Sequence, residues 1–187
     1  MKVIVGLGNP GARYDATRHN VGWWAIDRVA YDWDLGPFER GGAALLADGV
    51  VDDHTVHLVK PVTYVNRSGA ALAPYLAAEE FRVGEDLLVV ADDVNLDVGR
   101  LRFRPGGGAG GHKGLRSVTA VLGTPDYPRL RIGVGARPER MDLADWVLSP
   151  MPEDDEDEVV ALLRELAAAA RLWMNEGIEP VMNAYNR

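Results

Sequence analysis

Four polar clusters, each set against an apolar segment, hold the residue types that hydrolysis needs. They are Asn9, after a β-branched run; Thr17-Arg18-His19-Asn20, before a helix-spaced apolar segment; TYVNRSG (Thr63 to Gly69), after Lys60-Pro61; and Asp92-Asp93, at the end of DLLVVA. Strand ends and helix starts are where side chains from distant parts of a chain converge on one crevice. His19 is the candidate base, because imidazole changes charge near neutral pH. Asp92 can accept its Nδ1–H, hold the tautomer and stabilise the imidazolium. Asp93 competes for that role, and either aspartate can equally cap a turn. His112 is a second candidate, for ligand contact more than for chemistry. His54 and His57 lie among polar residues and read as surface or edge positions. The amide of Asn9 can both donate and accept. There is no cysteine, and no serine sits in a nucleophile-elbow pattern, so a His–Asp pair here would activate water directly. No H-E-x-x-H-like spacing marks a metal site, and none is expected.

These clusters need elements to hold them. Lys2 to Gly6 reads as a buried strand, and Val21, Trp24, Ala25 and Val29 give helical spacing from Asn20 to about Trp33. Ala43–Leu46 and Val50–Val51 flank Asp48-Gly49, a dipeptide that predicts a hairpin turn there. Further strands are expected at Val56–Val59, at Asp86–Ala91, around Leu101 and Phe103, and at Leu130–Val134. Helices are expected at Tyr64–Glu79, at Gly114–Leu122 after the glycine-rich loop Gly106–Gly111, and at Val159–Met174. The acidic run Glu153–Glu158 complements the macrodipole at the start of that last helix. Such alternation indicates an α/β fold: a single domain over residues 1–187, with a mixed, mostly parallel twisted sheet surrounded by helices.

Gly6-Leu-Gly8-Asn-Pro-Gly11 matches the dinucleotide fingerprint G-x-G-x-x-G after a strand, and Asp27 lies about twenty residues on. Three features oppose a dinucleotide site. Asp27 falls inside the first helix, Pro10 removes an N–H from the turn, and the helix starts near Asn20 instead of at the glycines. The glycines then serve a sharp turn off a central strand, and Asn9 stands at that strand's carboxyl end, where open α/β sheets bind ligands.

The chain has 187 residues, 47% hydrophobic and 26% charged, the balance of one ordinary soluble domain. The lack of cysteine excludes a disulfide scaffold, an iron–sulfur cluster and a thiolate metal site. The first apolar run is shorter than the ~7–15 residues of a signal core, and no stretch approaches the ~18 apolar residues of a membrane span. A cytoplasmic chain without a membrane partner is expected. Net charge is −8, which argues against a protein that coats nucleic acid indiscriminately.

GLGNPG, Tyr14, TRHNVG, KPVTYVNRSG, the DD segment with L-x-x-G, GGGAGGHKGLRS and RLRIGVG, in this order and spacing, resemble the bacterial peptidyl-tRNA hydrolase family. The ending VMNAYNR is similar as well, so the resemblance covers nearly the whole chain. It implies a monomeric single-domain esterase that cleaves the bond between a peptide and the 3′ ribose of tRNA, without a cofactor, and so recycles tRNA during translation. It places the catalytic histidine on His19, the supporting aspartate on Asp92, and working asparagines on Asn9 and Asn66. Tyr14 matches a tyrosine that holds the substrate end, and Tyr64, His112 and Lys113 fall in substrate-binding motifs. Three positions depart from the family pattern: Lys113 stands for an asparagine, Val65 for a methionine and Ala91 for a histidine. Lys113 can donate to a peptide carbonyl or bind a phosphate. A related alternative is a non-catalytic RNA-binding protein on the same fold.

The tRNA partner sharpens the charge pattern. Arg100, Arg102 and Arg104 alternate with Leu101 and Phe103, which puts three guanidinium groups on one strand face. Arg129 and Arg131 repeat the pattern, and Lys113 and Arg116 lie beside the glycine loop, whose backbone N–H groups suit anions. Gly99 to Pro138 holds eight Lys/Arg and one Asp, a local balance of +7, so the remainder sums to −15. This strip is expected to track phosphates of the acceptor stem and 3′ end, independently of sequence.

Overall fold

The computed structural model describes residues 1–186; Arg187, the last residue of the VMNAYNR ending, lies outside them. The strands are β1 (Lys2–Gly6), β2 (Glu39–Gly41), β3 (Ala44–Val51), β4 (His54–Pro61), β5 (Leu87–Asp93), β6 (Leu101–Arg104) and β7 (Arg129–Gly133). They form one sheet in the order β2-β3-β4-β1-β5-β7-β6. The central strands β4, β1, β5 and β7 run parallel, and β3 and β6 pair antiparallel to them on either side. Strands β1 and β5 are continuous Val/Ile/Leu runs because helices cover both faces and neither face alternates with solvent. The architecture is the mixed, mostly parallel open sheet with flanking helices that the alternation of elements implied.

The helices are α1 (Val21–Asp32), the short α2 (Ala73–Leu76) and α3 (Val83–Asp86), α4 (Lys113–Leu122), α5 (Leu143–Val147), α6 (Glu153–Leu163), α7 (Leu166–Glu176) and α8 (Ile178–Tyr185). One face of the sheet packs Ile4, Leu58, Leu88 and Phe103 against Ile26 of α1, Val159 of α6, Trp173 of α7 and Val181 of α8. The opposite face packs Val3, Val5, Val59 and Val89 against Leu115 and Val118 of α4 and Leu72 of a 3₁₀ segment, Val65–Leu72. Strand β1 lies between β4 and β5, so the connections from it diverge to both sides and leave a crevice at the carboxyl ends of the strands.

The glycines of GLGNPG are explained by packing. A Cβ on Gly6 would overlap Gly22 O and Ile26, a Cβ on Gly22 would overlap Leu7 O, and the ring of Trp23 lies against Gly8. Helix α1 thus crosses the end of β1 at backbone contact, and its first residue is Val21, ten residues past Gly11. Only a single 3₁₀ turn, Ala12–Tyr14, follows Gly11, so the motif does not open the α-helix that a pyrophosphate site uses.

Three element boundaries differ from the sequence expectation. The β3–β4 hairpin turns at Asp52-Asp53, both at positive φ (48° and 66°), and not at Asp48-Gly49, which lies within β3. Aspartate tolerates that left-handed backbone, while Gly49 lies beneath the end of the Leu35 side chain, which a Cβ there would displace. The helix expected over Tyr64–Glu79 is mostly 3₁₀, broken by non-helical backbone at Arg67. Gly69 donates to Ser117 Oγ, and its missing Cβ lets the segment lie on the α4 backbone. The helix expected over Val159–Met174 is interrupted at Arg164-Glu165, although Leu163 and Leu166 bury into the same core. His54 and His57 are half-buried on the interior strand β4, not on an edge, and His57 Nδ1 pairs with Asp48 at 2.7 Å. No helix among the described residues is long and apolar enough to cross a membrane.

Candidate active site

Asn9 leaves the carboxyl end of β1, and Asp92 and Asp93 end the neighbouring β5. Between them a single 3₁₀ turn, Arg18–Asn20, carries His19. Asn20 clamps this turn to the loop after β1: its Oδ1 accepts from Asn9 N and its Nδ2 donates to Asn9 O, both at 2.9 Å. The side chain thereby satisfies a buried peptide as a neighbouring strand would. Asn9 Oδ1 in turn accepts from Val65 N at 2.8 Å, which ties the 3₁₀ segment carrying Asn66 to the same point. That bond commits the Asn9 oxygen and leaves its NH₂ as the free half of the amide.

His19 and Asp92 are both buried, and His19 Nδ1 lies 2.7 Å from Asp92 Oδ1. An ionised carboxylate only accepts, so Nδ1 carries the proton and Nε2 keeps its lone pair. His112 reaches the same oxygen, Nε2 to Oδ1 at 2.8 Å. Its Nδ1 accepts from Gly114 N and Leu115 N at 3.1 and 3.2 Å, which makes His112 the cap of α4. Burial penalises the charged form of His19, but the Asp92 charge and hydrogen bond outweigh that penalty, against some opposition from Lys113, and hold its pKa above the ordinary value. Burial would raise the Asp92 carboxyl, yet the two histidines overcome this and keep it well below the usual carboxylate range. Donor atoms of His19, Asp92 and His112 lie within 4.8 Å of one another, a spacing that could hold a cation. The hydrogen bonds oppose it: to ligate through Nε2, His112 would have to place its proton on Nδ1, toward two backbone N–H groups.

These groups open onto a cleft of about 550 Å³. Asn66 and Tyr64 line one side, exposed, and Tyr14 meets Tyr64 edge-on at 6.4 Å between ring centres. Gly110, Gly111, His112 and Lys113 line another side, and Leu143, Ala144, Val147 and Leu148 form an apolar wall. That wall is fastened to the turn carrying His19 through Arg18. Its guanidinium lies 3.5 Å from the centre of the Trp146 ring and donates to Ser149 Oγ at 2.6 Å and Pro150 O at 2.9 Å.

The basic strip is only partly as expected. Arg102 and Arg104 are exposed and face Arg131 and Arg129 across the β6–β7 ladder. Arg100 precedes β6 and is exposed, as are Lys113 and Arg116. Arg131 is half-buried beside the cleft, with Nε 3.1 Å from Asp93 Oδ2. Asp93 therefore holds an arginine and the backbone of Asn95, while Asp92 takes the histidines. Arg129 is a correction: it is 2% exposed, lies over the Tyr127 ring and donates to Gly108 O and Pro125 O. It braces the glycine-rich loop from within and has no face for phosphate. Residue type and spacing alone single out no role for Asn20, Arg18 or Asn186. Asn20 and Arg18 stand inside TRHN, and Asn186 pairs with both Phe103 N and Phe103 O at the outer edge of β6.

A family model for peptidyl-tRNA hydrolase matches residues 3–187. The chain belongs to the peptidyl-tRNA hydrolase family. The peptidyl-tRNA hydrolase of Gemmatimonas aurantiaca is 46% identical over 190 residues, covering all of both chains. That of Symbiobacterium thermophilum is 45% identical over 99% of this chain and 98% of its own. The crystal structure of peptidyl-tRNA hydrolase from Acinetobacter baumannii superposes with a TM-score of 0.91 at 30% identity, covering 100% of this chain and 94% of that one. Membership places the chain among hydrolytic enzymes, on the fold described above.

Proposed function

We propose that this chain hydrolyses the ester between a peptide and the 3′ ribose of tRNA, releasing both and so returning tRNA to translation. The observation that carries this reading is the buried His19–Asp92 hydrogen bond at 2.7 Å, which leaves Nε2 as a base in a cleft of about 550 Å³. His19 Nε2 takes a proton from water as its oxygen attacks the ester carbonyl. The resulting imidazolium is held by Asp92 and returns that proton to the departing 3′ oxygen. The charge that develops on the carbonyl oxygen needs donors. The NH₂ of Asn9 and the amide of Asn66 both line the cleft and suit that task. An aminoacyl ester is already activated, so water suffices as nucleophile.

Tyr14 and Tyr64 would border the terminal nucleotide, and the apolar wall would accept the peptide. The exposed Arg100, Arg102, Arg104, Lys113 and Arg116, with half-buried Arg131, would follow the acceptor-stem phosphates. The protein would work as a cytoplasmic monomer on many tRNA species, since phosphate contacts carry no sequence information.

The test is cleavage of an N-blocked aminoacyl-tRNA. His19→Ala is expected to lower the rate by about 10²–10⁴-fold, the range for loss of a general base, while tRNA binding is retained. Wild-type protein that binds the substrate without turnover overturns the proposal in favour of a non-catalytic RNA-binding role.

A further inference from the structure

His112 was expected to touch substrate, yet both of its ring nitrogens are engaged within the protein. We infer that His112 is a positioning residue, which uses the N-terminus of α4 to aim its Nε2–H at Asp92 and so holds the carboxylate that orients His19. The inference rests on the hydrolytic reading of the site and concerns how its base is set.

The chain of contacts is direct. Gly114 N and Leu115 N are unpaired donors of the first helical turn, and both point at His112 Nδ1. An imidazole nitrogen that accepts two N–H groups carries no proton, so the ring proton of neutral His112 is on Nε2. That proton meets Asp92 Oδ1 at 2.8 Å, the same oxygen that takes His19 Nδ1 at 2.7 Å. The two rings stand 4.8 Å apart, with the carboxylate between them. Two donors on one oxygen fix the carboxylate more tightly than His19 could alone, and they divide its charge. A Cβ on Gly114 would crowd His112, Leu7 and Val65, so the helix start that aims the ring is itself closely packed. Asp92 and Lys113 act on the charge of His19, and Asp93, Arg131 and Asp142 line the same cleft from β5, β7 and the start of α5.

Two substitutions separate capping from aiming. Asparagine is a strong helix cap but is too short to reach Asp92, so His112→Asn keeps the cap and removes the Nε2–H. In that variant kcat on N-blocked aminoacyl-tRNA is expected to fall by roughly ten- to a hundredfold, with KM little changed. Asp92 then serves His19 alone, so His19 holds its proton more tightly, and the acid limb of the kcat profile moves up by roughly half a pH unit. His112→Ala, which loses the cap as well, is expected to lower the melting temperature further. A rise in KM with kcat kept overturns the inference and makes His112 a substrate contact. An acid limb that stays in place or moves to lower pH overturns it too, as does a kcat loss confined to His112→Ala. Nitrogen-15 ring spectra test the same point without substrate. The wild type should show the His112 proton on Nε2, and His112→Asn should move the His19 titration to higher pH. A wild type with no turnover but with these spectra would defeat the hydrolase reading and leave the positioning role standing; a proton on Nδ1 would defeat the positioning role by itself.

Discussion

At the residue scale the site turns on one oxygen. Asp92 Oδ1 accepts from two histidines, and this decides which nitrogen of His19 is free to act as a base. Burial works against protonated His19, but the adjacent carboxylate wins and the pKa lies above the ordinary value. Only the unprotonated ring removes a proton from water. Activity should therefore rise with pH through that raised pKa, and the acid limb of kcat/KM should have its midpoint above the ~6.5 of a free histidine. A midpoint at or below that value in a pH-rate measurement would contradict the arrangement. Asn9 shows the same economy, since one hydrogen bond from Val65 N commits its oxygen and leaves its NH₂ as the free half of the amide at the cleft.

At the element scale the turn that carries His19 is held from two sides. Asn20 fastens it to the β1 loop, and Arg18 fastens the apolar wall to it. The Thr17–Pro150 bridge and the Met151 N to Ala16 O bond add to this seam. Arg18→Ala would leave Ser149 and Pro150 without their donor and empty the space over Trp146. A loss of about 2–4 kcal/mol is expected from the lost charge-assisted hydrogen bonds and the lost cation–π contact. For a chain of this size that lowers the melting temperature by roughly 5–15 °C. Amide exchange over 143–151 should accelerate and KM should rise, because the wall is released while His19 keeps Asp92. Unchanged exchange in that segment would show that α5 is held by other contacts.

At the scale of the whole molecule, charge is segregated. The +7 strip from Gly99 to Pro138 lies on a chain whose total is −8. The acidic residues that begin α6 belong to the face of the sheet opposite α4. The antiparallel register of β6 and β7 puts Arg102 and Arg104 on the α4 side, because Leu101 and Phe103 turn to the other core. Arg102→Ala is expected to weaken tRNA binding and to reduce the slope of log K against log salt by about one. Arg129→Ala should leave that slope alone and lower the melting temperature instead, since its guanidinium braces the glycine loop. Equal salt slopes for the wild type and Arg102→Ala would place the tRNA elsewhere.

Much of this was legible in the sequence. Continuous apolar runs mark β1 and β5 and helical spacing marks α1, because buried strands and amphipathic helices write their environment into local composition. The polar clusters at the ends of those elements mark His19, Asp92 and Asn9 as candidates, because side chains at strand ends can converge on one crevice, while Asn66 is marked only by the resemblance of its motif. Boundaries set by distant partners were not legible. The 3₁₀ segment around Arg67 packs through Gly69 onto α4, and Gly49 lies within β3 beneath Leu35 while the hairpin turns at Asp52-Asp53, contacts that local spacing does not reveal. Nor could spacing alone separate Arg102 from Arg129, which carry the same charge in the same alternating pattern, yet one is exposed and the other sealed beneath a loop. By itself the sequence determined which residues could act and on which kind of sheet. Tertiary structure decided which of them meet, because hydrogen bonds such as those of His112 join groups that the chain keeps far apart and that only packing brings within 3 Å.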